Sequence, residues 1–186
     1  KKIFISYIFL ILFIGCKTTK QNTINDKTIV MYKVSESKKT DKPIKFDPSF
    51  LTFELIYDKN ESIFHLVDKL DDNSNNIDIK ITKGIYDGYI KFYKNNLEKQ
   101  KFFNVDEKGL IFNVETDFEN YKWEINPNDT KEISGFKCYK ATAKTERKHN
   151  GKTQDIFQSY AWFTYEIPTS FGPRGLDGLP GLVLEG

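Results

Sequence analysis

The chain of 186 residues has few of the side chains that most often carry chemistry or cross-links: two cysteines, two histidines, one methionine and two tryptophans. Cys16 closes an N-terminal apolar run, which leaves Cys138 alone. No intramolecular disulfide is therefore expected even in an oxidising compartment, and stability has to come from packing. Neither His65 nor His149 stands at metal-ligand spacing from Cys138 or from a carboxylate, so no metal site and no cofactor is expected. A surplus of one charge is missing too. The formal net charge is +2, and loss of Lys1 and Lys2 with a cleaved leader would bring the 28 basic residues level with the 26 acidic ones. A neutral chain with no basic stripe is not expected to bind nucleic acid. No apolar run reaches the roughly 20 residues that a bilayer-spanning helix needs. Ser134 and Ser170 lack the Gly-x-Ser-x-Gly context of a hydrolase elbow. The oxygen-rich stretch from Asp71 to Asn76 lacks the Gly and terminal Glu of a calcium loop, so a solvated turn is the plainer reading.

What is present is 39% hydrophobic and 15% aromatic residues, with 16 Phe and 10 Tyr. That is ample for a folded core and excludes wholesale disorder. The length suits one domain, or one domain and a tail.

The first residues read as an export signal. Lys1-Lys2, an apolar run from Ile3 to Ile14 and then Gly15-Cys16 have the charged, apolar and small-residue regions of a signal peptide. Phe13-Ile14-Gly15-Cys16 resembles a bacterial lipobox, which implies cleavage before Cys16 and lipid attachment to it. Residues 1–15 are thus a lipoprotein signal peptide, 16–26 a polar tether, and 27–186 a single β-rich domain. More than one acyl chain, each worth about 0.8 kcal/mol per buried methylene, gives stable anchoring. The expected partner is a membrane, and Lys17-Thr18-Thr19-Lys20, free of acidic residues, points to the periplasmic face of the outer membrane.

From there the pattern is period two. Leu51, Phe53, Leu55 and Tyr57 alternate against Thr52, Glu54 and Ile56, and Ile77, Ile79 and Ile81 against Asp78 and Lys80. Further β-rich runs cover 29–32, 62–67, 89–93, 101–105, 110–115, 121–125, 136–145 and 157–167. Turn residues separate them at Asp58-Lys59-Asn60, Asp71 to Asn76, Asp87-Gly88, Glu107-Lys108-Gly109, Asn126 to Asp129 and His149-Asn150-Gly151. Asn150-Gly151 is the strongest hairpin signal, because both residues accept the positive φ of a type I′ turn. Helical periodicity shows only around Asn95–Gln100. About nine or ten short strands at this spacing predict an all-β, antiparallel fold, an open half-barrel or a sandwich.

The C-terminal segment differs. Five of the 11 glycines and three of the 6 prolines lie between Pro168 and Gly186. Gly172, Gly175, Gly178 and Gly181 recur every third residue, but so few triplets cannot sustain a triple helix. The Lys-Ser/Thr that completes a phosphate loop is absent as well. Leu179-Pro180-Gly181-Leu182 fits a type II turn, with positive φ at Gly181, leading into a buried strand at Leu182-Val183-Leu184.

Gly178-Leu179-Pro180-Gly181-Leu182-Val183-Leu184-Glu185 resembles the signature of the GLPGLI family, exported proteins known mainly from Bacteroidota-type Gram-negative bacteria. Trp123, Lys131, Ile133, Gly135, Phe136, Cys138, Lys140 and Ala141 resemble a second block of that family. Ala161-Trp162-Phe163-Thr164, Glu166-Ile167-Pro168 and Gly172-Pro173 resemble a third. Gly186 stands where the family usually has an aliphatic residue, and the family continues with further strands. With the missing initiator Met, this implies that the chain is a fragment. The resemblance implies an envelope lipoprotein and brings no catalytic residues.

The candidate residues are few. His65, on a strand with Ile63 and Val67, reads as a satisfied structural histidine or a ligand or base, and His149 as solvated at a hairpin tip. Cys138 reads as a small core residue or a nucleophile. Trp123, Phe136, Trp162 and Phe163, with Tyr160 and Tyr165, either line a cavity for a hydrophobic ligand or fill a core. Arg174 is expected to pair with Glu166, Glu185 or an anionic group. The sequence thus predicts a lipid-anchored, non-enzymatic protein that binds a hydrophobic ligand or an envelope protein. The alternatives are an envelope enzyme using Cys138 or His65, and a passive component of an outer-membrane transport complex.

Overall fold

A computed structural model of the chain describes residues 27–34, 47–67, 76–119, 121–149 and 152–186. The leader, Cys16, the tether through residue 26, most of the Asp71 to Asn76 stretch and the Asn150-Gly151 turn lie outside the described residues. Among the described residues two antiparallel sheets and no closed barrel are formed, in line with the period-two pattern. The first sheet is a six-stranded meander of β1 (Thr28–Lys33), β2 (Thr52–Tyr57), β3 (Glu61–Leu66), β4 (Phe92–Asn95), β5 (Gln100–Glu107) and β6 (Leu110–Glu115), in that order. The second comprises β7 (Glu124–Ile133), β8 (Phe136–His149), β9 (Lys152–Thr164) and β10 (Leu182–Glu185), ordered β10-β9-β8-β7.

Local chemistry sets the hairpins. Asp58 Oδ1 accepts the backbone N–H groups of Asn60 at 2.7 Å and Glu61 at 3.0 Å, closing the β2–β3 turn. Lys108 (φ 56°) and Gly109 (φ 86°) join β5 to β6, and Ser134 (φ 52°) and Gly135 (φ 84°) join β7 to β8. Both pairs have the two positive φ values whose twist matches that of paired strands. The β8–β9 ladder runs to His149 opposite Lys152.

Some of the expected elements are not formed. Ile77 to Ile81 are not a strand but the start of helix α1 (Ile77–Ile85), because Asn76 caps it, its side chain accepting the N–H groups of Asp78 and Ile79. Asp87, at φ 59°, ends that helix, and the Gly88 N–H returns to the Lys83 carbonyl at 2.7 Å. Asn95 to Gln100 is not helical. Asn95 Oδ1 accepts from Leu97 and Glu98, and the segment is the β4–β5 turn. Asn126 to Asp129 does not separate two strands but is a register shift inside β7. Among the described residues no helix is long and apolar enough to cross a membrane.

The core has two parts that meet at β10. Leu51, Phe53, Leu55, Phe64, Leu66 and Phe171 bury the inner face of the first sheet, and Leu182 joins them. Ala141, Ala161, Phe163, Leu179 and Val183 form the second cluster. Ala141 and Ala161 are cross-strand partners with no exposed surface, and two methyl groups there leave room for Phe163 and Leu179. Each fully buried Leu, Val or Phe contributes about 1.5–3 kcal/mol. Alternate side chains of β10 thus serve the two clusters, which fixes the segment between Thr164 and Leu182 against both sheets.

Candidate functional site

β4 and β5 place Lys94 and Lys101 directly opposite each other. Both share a strand face with aromatics, Lys94 with Phe92 and Lys101 with Phe103, since alternate residues point the same way. Both lysines are 6% exposed. Like charges across a strand pair repel, and buried ammonium groups lose their hydration, so the arrangement needs a counter-ion. Asp177 supplies it. The carboxylate is 5% exposed, with Oδ1 2.8 Å from Lys94 Nζ and Oδ2 2.7 Å from Lys101 Nζ. Lys101 also donates to the Gly175 carbonyl at 3.1 Å. Burial pulls the Lys101 ammonium below its ordinary pKa; Asp177 opposes this and Lys94 adds to it.

The Gly/Pro segment delivers that aspartate. Gly178 takes φ 87°, so the chain reverses immediately after Asp177, and Leu179, 1% exposed, turns into the second cluster. Trp123 Nε1–H donates to the Asp177 carbonyl at 2.8 Å, fixing the backbone there. Gly181 does not have the positive φ expected of it. Its role is steric: a Cβ at this position would lie 1.9 Å from the Thr164 carbonyl oxygen. Pro180 is exposed and Leu182 fully buried.

Above the Lys–Asp–Lys group lies a partly open cavity of about 140 Å³, walled by Phe64, Phe92, Phe102, Phe103 and Tyr121. A neighbouring cavity of about 280 Å³ shares Phe64 and Arg174 with it. Phe118 stands 4.3 Å from Lys94 Nζ, and Tyr121 lies 5.4 Å from Lys101 Nζ, both ring faces toward the cations. Burial and the nearby Asp177 push the Tyr121 phenol up. Arg174, at φ 53°, pairs with Asp87 rather than with Glu166 or Glu185.

The aromatics singled out in the sequence do not make this wall. Phe163 is fully buried in the second cluster, and Trp123 borders the site from behind, through its N–H and by stacking on Tyr121 with ring centroids 4.9 Å apart. Trp162 is buried on the other face of β9, its ring 4.4 Å from Lys131 Nζ and 5.6 Å from Lys140 Nζ. Phe136 is half-buried at the start of β8, while Tyr160 and Tyr165 are exposed. Cys138 is fully buried, donates weakly to the Phe136 carbonyl at 3.5 Å, and has its thiol pKa pushed up by burial. His65 belongs to the other sheet, with Nδ1 2.8 Å from the Leu66 carbonyl and Nε2 3.2 Å from Glu54 Oε1. The structure thus gives Cys138 and His65 separate partners and does not assemble them into one centre.

Lys94, Lys101 and Asp177 escaped the sequence reading. The readable signal was a lysine in the inward register of two adjacent aromatic strands. No curated protein and no solved structure matches the chain. Residues 143–185 match the model of a family described as a protein of unknown function, Porph_ging, a stretch that contains Asp177 and Gly178 to Leu182 but neither lysine.

Proposed function

We propose that the protein is a cell-envelope lipoprotein of the GLPGLI type, held at the periplasmic face of the outer membrane by lipid on Cys16, and that it binds a hydrophobic ligand without catalysing a reaction. The leader and its Gly15-Cys16 junction support the anchor, and Gly178 to Leu182 supports the family. The aromatic-walled cavity of about 140 Å³ carries the binding role. An engineered apolar cavity of about 150 Å³ accepts benzene, so a single ring or a short branched chain end is the right size and a whole acyl chain is not. The reacting groups of the enzyme alternative, a buried thiol and an imidazole on the other sheet, lend it no support.

The test is titration of the purified mature protein with a neutral one-ring probe, benzyl alcohol, followed by NMR. Saturable shifts at Phe92, Phe103 and Tyr121, lost in Phe92→Trp, are expected. Absence of any saturable shift would end the reading. The anchor is tested separately, since Cys16→Ala should release the protein from the membrane fraction and wild type should incorporate labelled palmitate. An envelope protein as partner is a second reading, favoured by the outer strand β6, where Leu110, Ile111 and Phe112 are 64%, 70% and 51% exposed. Capture of an envelope protein by wild type and not by Ile111→Lys would support it.

A further inference from the structure

We infer that the natural ligand of the aromatic cavity carries an anionic head, a carboxylate in the first instance, which seats on the Lys94–Lys101 pair while its compact apolar body lies among the phenylalanines. This rests on the cavity being the binding site and adds the chemical class of what enters it.

Among the described ionisable side chains lining the cavity, Lys94, Lys101 and Arg174 are cations, and Asp177 is the acidic one. Asp87 takes Arg174. Asp177 then serves two ammonium groups with one negative charge, each of its oxygens engaged by a different lysine. In a low-dielectric pocket such an excess is costly and attracts a compensating anion far more strongly than at the surface.

A lysine ammonium has three N–H donors. Lys94 Nζ gives one to Asp177 and otherwise faces the Phe118 ring at 4.3 Å. Among the described residues no further acceptor meets Lys94 Nζ, which leaves its other donors to water or a ligand oxygen, and the side chain is nine-tenths buried beside the cavity. A neutral apolar ligand would push such water out and leave the donors unmet, whereas a carboxylate would replace it.

At about 140 Å³ the space fits an aromatic or short-chain carboxylate.

Isothermal titration of the full mature protein with benzoate and with benzamide decides the matter, because the two have the same ring and differ in charge. Benzoate should bind at least about tenfold more tightly, and Lys94→Met, which leaves one lysine against one aspartate, should bring that ratio close to one. If Lys94→Met does not fold, the wild-type ratio and its fall between 20 mM and 500 mM sodium chloride stand as the measurement, since only the charged probe should respond to salt. Equal binding of the two probes would overturn the anionic head and leave the cavity reading in place. If neither probe binds, and benzyl alcohol also fails, both fall. Benzoate binding that Lys94→Met leaves unchanged would place the anion elsewhere and likewise overturn the inference.

Discussion

A Cβ placed on Gly181 would lie 1.9 Å from the Thr164 carbonyl oxygen and 2.7 Å from its carbon. Neither atom can swing aside, because Thr164 is the last residue of β9 and pairs with Leu182. Gly181→Ala must therefore push β10 away from β9, and overpacking of this kind costs about 1–3 kcal/mol. Pro180→Ala, at an exposed position, should cost under about 1 kcal/mol, chiefly through the unfolded chain. Urea denaturation of the two variants beside wild type checks the order; an unchanged Gly181→Ala would remove the close approach as the motif's reason. The effect at Gly181 was foreseeable as a sensitivity but not in its mechanism. A turn signature shows where glycine is needed, not whether φ or a neighbouring carbonyl demands it, because the neighbour is contributed by a strand that is separate in sequence and adjacent only in the pairing. Cys138 is the other single-residue case. With no exposed surface and a thiol pKa raised by burial, it should react with a maleimide in the native state only as fast as the molecule opens. Labelling at the rate of a free thiol would contradict that placement.

At the scale of elements, hydrophobic period alone separates strands from helices poorly when a run is short. β2 and β3 were legible because each alternates cleanly and a turn closed by Asp58 joins them. The segment from Ile77 alternates just as cleanly, yet it is a helix whose Ile77, Ile81 and Ile85 are 68%, 41% and 57% exposed, while Thr82 is its buried residue. Three isoleucines four residues apart lie along one helix face, so the same letters satisfy both periods at once. The deciding signal was local: Asn76 followed by an acidic residue, a helix start with Asp78 in its first turn. Since so little of α1 is buried, its cap should matter more than its packing. Asn76→Ala is expected to cost about 1 kcal/mol, with a helix-specific fall in amide protection over 77–85 and none in β2 or β3. Uniform loss of protection across the sheets would show instead that α1 is tied into the global unfolding unit.

At the scale of the whole molecule, the question is what joins two sheets that share no strand. Part of the answer is apolar, with Leu182 and Val183 serving the two clusters. The rest is a few polar ties, and these were the least legible from the sequence. Lys94 and Lys101 meet Asp177 across about 80 positions of chain, and Tyr32 meets β10 across still more, so no local pattern announces either contact. The Tyr32 hydroxyl donates to the Val183 carbonyl at 2.6 Å, linking β1 of one sheet to β10 of the other. Burial, reinforced by repulsion from Tyr57, holds the Tyr32 phenol far above its ordinary pKa of about 10. Above about pH 10 the unfolded chain gives up this proton while the folded chain keeps it, so the stability that Tyr32 contributes is complete below about pH 10 and falls as pH rises further. Tyr121, also raised by burial, adds in the same direction. Urea midpoints should therefore drop between pH 8 and pH 10.5 in wild type and drop by less in Tyr32→Phe. At pH 8 the variant itself should be weaker by about 1–3 kcal/mol, because the Val183 carbonyl then lacks its donor. Equal alkaline losses in the two proteins would mean that the hydroxyl does not tie the sheets together, and the junction would rest on β10 and the Asp177 contacts alone.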